Sequence, residues 1–334
     1  MMRAVEFLGA SRSRLVSRPV PEPTPGYVVV RVLYNATCGS DLWLFRGQWH
    51  GGSYPVVPGH EWSGVVSATT PENTGWLGRR VVGELATGCG MCRPCRAGMP
   101  VLCPDVDEIG FTSDGALAEY VRVPLRNLHT IPDAVDDLAA CQTEPLAVAV
   151  HAVRRLHVAP GDRVAVLGCG AIGLLLLQAA HAVGAEVILA AEPVPLRRSV
   201  ASALGATAAV DPTTAGFETL HSIADVVFEA SGEPSSIAAA MRLAAPLGRI
   251  GLIGYQVGQY ATVPTAQWPL KMLTVTGVMG PSRYYQHALS LLASDRIDTA
   301  RLLTNVEPLE AHEKALPRAI ERSEVVRIVF APSL

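Results

Sequence analysis

The run RVAVLGCGAIGLLLLQAAHAVGAEVILAAE, residues 163–192, constrains the fold more than any other stretch of the chain. A short apolar segment runs into three glycines, Gly168, Gly170 and Gly173; a long apolar segment leaves them, and a second short one follows. By length and flanking glycines these read as a strand over 163–168, a helix, and a strand over 186–192. Two strands joined by one helix pair in parallel through a right-handed crossover. The alternation then continues with a helix over 197–205, a strand over 224–231, a helix over 235–244 and a strand over 248–255. This predicts a doubly wound α/β unit built on a parallel sheet.

The glycines indicate what such a sheet would hold. Gly168, Gly170 and Gly173 allow a tight turn and close approach of a pyrophosphate, and the helix opening at Ala171 and Ile172 points its free N–H groups at negative charge. Glu192 ends the next strand, where a carboxylate hydrogen-bonds a ribose 2′-hydroxyl and repels a 2′-phosphate. The pattern therefore predicts a nicotinamide dinucleotide and favours NAD over NADP. Arg197 and Arg198 follow closely and work in the opposite direction, since a guanidinium attracts a 2′-phosphate.

The text before this unit differs. YVVVRVLY (27–34), EWSGVV (61–66) and RVVGEL (80–85) are strand-like, and PEPTPG, HGGS and PENTG punctuate them. A compact, mostly β domain is expected there, followed by a helix over 136–156. After about Arg283 the text is helical and closes in a strand over 325–332. A length of 334 residues suits two domains and buries a core without disulfides.

Four of the seven cysteines fall at 89, 92, 95 and 103, a C-x2-C-x2-C-x7-C spacing. The N-terminal MMRAVEFLGASRSR has no apolar run leading to a small-residue cleavage site, so a reducing cytoplasm is expected and disulfides are disfavoured. Short loops let Cys89, Cys92, Cys95 and Cys103 turn onto one tetrahedral zinc; four thiolates close its coordination, so that site is structural. Cys141 and Cys169 lack such partners and read as buried small residues. Ligands for a second zinc with an open position stand elsewhere: Cys38 in NATCGSDLW, His60 and Glu61 in PVVPGHEWSG, and Glu144 in CQTEPLAVAV. Spacing alone does not bring them together. A net charge of −3, from 27 basic and 30 acidic residues, has no nucleic-acid footprint. The most apolar stretch, Ala171 to Ala191, is interrupted by Gln178, His181, Gly184 and Glu186, so no membrane span is expected.

Taken in order, CGSD, GHEWSG, the four-cysteine lobe, EPLAVAVHA, GCGAIG and EASG resemble the zinc-dependent medium-chain alcohol dehydrogenase superfamily over essentially the whole chain. The resemblance implies a GroES-like catalytic domain with two zincs over 1–147, a Rossmann doubly wound domain over 148–285, and a segment over 286–334 that returns to the first domain. It implies that Cys38 and His60 bind catalytic zinc. Glu144 stands where the sorbitol and threonine dehydrogenase branches carry a glutamate, and Glu61 is a ligand or an adjacent carboxylate. It further implies that Asp41 orients His60, that Ser40 takes the proton of the substrate hydroxyl, and that Ala230, Ser231, Gly232, Leu252, Ile253 and Gly254 line the cofactor. Trp43 replaces a histidine that ends the proton relay in many members, so the relay ends elsewhere; His50 lies nearby in sequence.

A narrower resemblance covers YNATCGSDLWLFRGQWHGGSYPVVPGHEWSG, ACQTEPLAVAV and AEPVPLRR, which are similar to the 2-deoxy-scyllo-inosamine dehydrogenases of aminoglycoside antibiotic biosynthesis. It implies oxidation of one ring hydroxyl of an aminocyclitol to a ketone. The reverse reduction of an oxo-aminoglycoside and a generic polyol or amino-alcohol dehydrogenase are the alternatives. Glu108, Asp114 and Glu119 are the carboxylates available to an ammonium group, and Trp43, Trp49 and Phe111 are candidate pocket walls. Family likeness implies a homodimer or homotetramer joined at the edge of the Rossmann sheet.

Overall fold

The computed structural model describes residues 1–49, 52–280 and 282–334, the side chain of Ser282 excepted. His50 thus lies outside the described residues. The chain divides into two compact units. One comprises Met1–Glu144, Pro281–Ser294 and Leu303–Leu334; the other comprises Pro145–Gly280 and Asp295–Leu302. The sequence put the changes of unit after 147 and after 285, with 286–334 returning to the first unit; in the structure the changes fall after Glu144 and after Gly280, and Asp295–Leu302 of the returning segment belongs to the second unit.

In the first unit a seven-stranded sheet runs in the order Asn305–Glu307, Ile328–Phe330, Tyr27–Ala36, Glu61–Ala68, Arg80–Gly83 and Leu128–Thr130, with Tyr120–Pro124 also paired to Tyr27–Ala36. Val28, Val30, Val32, Trp62, Val81, Val121 and Val123 form a core against it. The register decides what meets at the sheet's end. Ala36 pairs with Glu61 and with Val329. Cys38, His60 and Arg327 therefore leave three neighbouring strands at the same end. The closing strand covers Ile328–Phe330, shorter than the 325–332 expected. A hairpin of Met2–Gly9 and Arg12–Arg18, which the sequence reading did not identify, also belongs to this unit.

The helix expected over 136–156 is two helices, Asp137–Ala140 and Thr143–Arg155. A continuous helix would hold Pro145 in its interior, where it has no N–H to donate and its ring meets the preceding turn. Restarting at Thr143 puts Pro145 in a first turn, where proline is tolerated, and puts Glu144 beside it. The Asp136 carboxylate caps the first helix by accepting the Ala139 N–H at 2.8 Å.

The second unit carries six parallel strands in the order Ala209–Val210, Glu186–Ala191, Arg163–Leu167, Ala224–Glu229, Ala244–Leu252 and Thr274–Gly277. In chain order that is 3-2-1-4-5-6, the doubly wound arrangement whose ligand crevice opens where the order reverses, beyond Arg163–Leu167 and Ala224–Glu229. The fifth strand begins at Ala244, not at 248, because it pairs first through Ala224 and then, after a register shift, through Val226 to Arg249.

Candidate active site

In the first unit Cys38 precedes the helix Gly39–Phe45, and its backbone N–H donates to the Asp41 carboxylate at 2.8 Å, which fixes the turn out of the strand. Ser40 lies partly exposed on that first turn. Asp41 reaches the other way as well, its Oδ1 standing 3.4 Å from His60 Nδ1, with both side chains buried. This leaves the far ring nitrogen of His60 for Cys38. The Cys38 sulfur, a His60 ring nitrogen and a Glu61 carboxylate oxygen all lie within 4.8 Å of one another.

Burial alone would keep Cys38 protonated, but the hydrogen bond to His60 and that ring's charge outweigh it and hold the thiol below its ordinary value. Burial likewise disfavours the His60 cation, and the Asp41 carboxylate and the Cys38 sulfur reverse this, raising His60 well above its usual range. Sulfur and imidazole thus stand where a divalent cation, displacing the proton between them, would satisfy both. The donor set of thiolate, imidazole and carboxylate suits zinc. Glu144, buried at the start of its helix, is not one of the three clustered residues. Burial pushes it up to about 7, the His60 charge opposing and the Asp41 charge adding.

Arg327, which the sequence reading did not single out, is almost fully buried and forms an ion pair with Glu61. It also donates to Gln142 Oε1 at 2.8 Å. Burial lowers the guanidinium to about 10 against the charges of Cys38 and Asp41. It is therefore a cation that neutralises Glu61 and fixes its direction. An arginine inside the apolar run VVRIVFAP was the available signal. The opposite wall is aromatic. The Phe111 ring stands 5.1 Å from His60 and 4.8 Å from Trp49.

The four lobe cysteines also meet, their sulfurs within 4.8 Å. The Cys89 N–H points at Cys103 Sγ at 3.3 Å and the Cys92 N–H at Cys89 Sγ at 3.4 Å. The Met91 and Cys92 N–H groups pull the Cys89 thiol down to about 6. Cys92 receives the Cys95 N–H, yet burial and the thiols of Cys95, Cys89 and Cys103 push it up to about 12. Four sulfurs this close cannot all ionise without a cation among them, and a zinc held by the four would supply one.

In the second unit the three predicted loops come together. Gly168 has a φ of +90°, and a Cβ there would lie 2.7 Å from Ser231 N; one on Gly254 would lie 2.2 Å from Gly232 N. Glu229, quoted within EASG but given no role from sequence, is fully buried and ties them. Its carboxylate accepts the N–H groups of Ser231 and Gly232 at 2.9 and 3.1 Å and the Ser236 hydroxyl at 2.6 Å. Its carbonyl accepts those of Ile253 and Gly254, whereas Ala230 donates to the Leu167 carbonyl. Leu252 ends its strand beside them.

Gly170 precedes the helix Ala171–Ala182, so Ala171, Ile172 and Gly173 form its first turn. The buried Glu192 carboxylate accepts the Cys169 N–H at 2.8 Å and the Val194 N–H at 3.0 Å, which locks it under the loop. Arg198 is committed to the Glu192 and Pro193 carbonyls and to Asp211. The buried Arg197 lies beside the loop, its Nη1 4.0 Å from where a Gly170 Cβ would be. A Cβ on Gly173 would fall 1.8 Å from the Gly168 carbonyl oxygen. Since that oxygen is backbone, Gly173→Ala must displace the loop, and NAD affinity is expected to fall about tenfold or more in a fluorescence titration. Unchanged affinity would remove this loop from the cofactor site.

Comparison with known proteins gives the family. Residues 24–133 match the Alcohol dehydrogenase GroES-like domain family and residues 171–294 the Zinc-binding dehydrogenase family. L-Threonine 3-dehydrogenase of Bacillus subtilis is 34% identical over 319 residues, covering 92% of this chain and 91% of its own. Sorbitol dehydrogenase of the same organism is 27% identical over 99% and 98%. The crystal structure of a zinc-binding dehydrogenase from Sinorhizobium meliloti bound to NADP superposes with a TM-score of 0.92 at 29% identity, covering 99% of each chain. The chain belongs to the zinc-dependent medium-chain alcohol dehydrogenase superfamily and is an NAD(P)-dependent oxidoreductase.

Proposed function

We propose that this enzyme oxidises a ring hydroxyl of an aminocyclitol, 2-deoxy-scyllo-inosamine, to the ketone, with NAD as hydride acceptor, in aminoglycoside antibiotic biosynthesis. The observation that carries the chemistry is the convergence of Cys38, His60 and Glu61 on one point. The substrate assignment rests on the sequence likeness around Cys38, His60 and Glu144. A zinc held by Cys38, His60 and Glu61 or Glu144 would act as a Lewis acid toward the substrate oxygen. Asp41 holds His60 in one orientation. Arg327, paired with Glu61, directs its carboxylate. Ser40, on the turn after Cys38, accepts the hydroxyl proton and passes it to water or to the cofactor ribose, since Trp43 cannot take it. Ser40→Ala is expected to lower kcat by about 100-fold with zinc content unchanged; full turnover would remove it from the relay.

The likeness to threonine and sorbitol dehydrogenases favours a second reading, a dehydrogenase of other amino alcohols or polyols. NAD is preferred over NADP in this proposal, because Glu192 stands locked at the strand end and Arg198 is spent on Asp211. Met272, exposed two residues before the edge strand Thr274–Gly277, supports a homodimer or homotetramer joined at that edge. The test follows reduced-cofactor absorbance with 2-deoxy-scyllo-inosamine, running NAD and NADP in parallel and sorbitol and threonine as controls. Selective turnover of the inosamine supports the proposal; turnover of sorbitol or threonine alone moves the assignment to the second reading.

A further inference from the structure

Three carboxylates were available to read a charged group on the substrate, and their surroundings separate them. Glu119 is taken by Arg3, which donates to its Oε1 through Nε at 3.0 Å and Nη2 at 2.9 Å, while the Arg3 N–H donates to Oε2 at 2.7 Å. Asp114 pairs with Arg18 at 2.9 Å and accepts the Val57 N–H at 3.0 Å. Asp107, next to Glu108, accepts the Thr112 hydroxyl at 2.7 Å. The Glu108 carboxylate has no hydrogen-bond or ion-pair partner among the described residues, although it is half-buried.

The backbone places Glu108 three residues before the ring that packs on His60. Its carbonyl accepts the N–H groups of Phe111 and Thr112 at 3.0 and 2.9 Å, closing a tight turn. The chain after that turn is laid along the segment before His60: Gly115 donates to the Val57 carbonyl at 2.7 Å, Ala116 to Gly59 and Leu117 to Pro58, each at 2.8 Å. Gly115 has no room for a side chain, since a Cβ would stand 2.3 Å from the Gly59 oxygen. The Phe111 ring then packs on the His60 ring at 5.1 Å. Glu108 thereby opens the turn that sets the Phe111 ring against His60. A carboxylate drawn partly out of water without a counter-ion is costly for the protein alone, and a cation arriving with the substrate relieves that cost.

We infer that Glu108 is a specificity-determining residue, whose carboxylate pairs with an ammonium group on the alcohol oxidised at the Cys38–His60 site. The inference rests on the dehydrogenase reading of that site and names the class it selects, amine-bearing alcohols over their neutral counterparts. Carboxylates also accept hydroxyl donors, so the discriminating comparison is between substrates that differ only in the amine.

The experiment measures kcat/KM for two such pairs in the wild-type holoenzyme and in Glu108→Gln. One pair is 2-deoxy-scyllo-inosamine and its analogue with a hydroxyl in place of the amine; the other is L-threonine and 2,3-dihydroxybutanoate. Glutamine keeps the size and removes the charge, and zinc content and NAD affinity report that the variant is intact. The expected result is a wild-type preference for the amine of about 10- to 100-fold in at least one pair, erased in Glu108→Gln through KM, with the amine substrate losing much more than its neutral counterpart. An amine preference that survives the substitution overturns the inference and leaves the proposed reaction standing. A Glu108-dependent preference confined to the threonine pair keeps the inference and overturns the aminocyclitol. No amine preference in either pair overturns both.

Discussion

Cys38→Ser is expected to lower kcat by about three orders of magnitude and to remove one equivalent of bound zinc, with little change in melting temperature. The small structural effect follows from what holds the turn. The bond from the residue-38 N–H to Asp41 is made by backbone and survives the substitution. Serine is close to cysteine in shape, and position 38 is only partly buried, so packing changes little. What is lost is the thiolate. His60 holds the Cys38 sulfur below its ordinary value, whereas a serine hydroxyl stays protonated under the same influence and is a poor zinc ligand. Lewis-acid stabilisation of a developing alkoxide is worth several kcal/mol, and each ~1.4 kcal/mol is tenfold in rate. Atomic absorption, thermal melting and steady-state kinetics on one preparation check the three parts. A variant that keeps its full zinc and turns over within tenfold of wild type would exclude Cys38 from the reaction centre.

The α/β half was legible because each of its elements carries its own signal. Buried parallel strands are short continuous apolar runs, and the glycines mark where strand turns to helix. In the first unit the signal is weaker. Arg12–Arg18 lacks alternation because it is mostly exposed, and its arginines serve Glu6 and Asp114, so the opening hairpin had no period to read. The break before Thr143 depended on Pro145, which was visible but was outweighed by the helical text around it.

The convergence of Cys38, His60 and Glu61 was legible only by family likeness, since it depends on strand register. Only when Ala36 is known to face Glu61 and Val329 does the shared exit of Cys38, His60 and Arg327 follow. Glu229 and Arg327 escaped because a charge in an apolar run reads as an interruption until its partners are seen. Both turn out to be buried and paired, which is how a charge is kept in such a place.

Cys95→Ser is expected to act on stability, lowering the melting temperature by about 10 °C, with turnover per folded molecule retained. The lobe that carries Cys95 has almost nothing else to hold it. Its helical pieces are the four-residue Arg93–Arg96 and the single turn Pro100–Leu102. Two of its apolar side chains face solvent, Met91 being 77% and Leu102 55% exposed, and Cys103 is the buried one of the four cysteines. A loop without a core is ordered by its cross-link, and metal binding there is folding free energy. With one ligand replaced, Cys89, Cys92 and Cys103 remain clustered but the coordination is open, so zinc binds more weakly. Cys38, His60 and Glu61 lie outside this lobe, at the ends of the strands Tyr27–Ala36 and Glu61–Ala68, and do not depend on its metal. Melting with and without a chelator separates the cases: wild type should lose stability on chelation, and the variant should lose much less because its lobe is already loosened. A variant that melts as wild type does, with two zincs retained, would show that the four thiols are not the staple of this lobe.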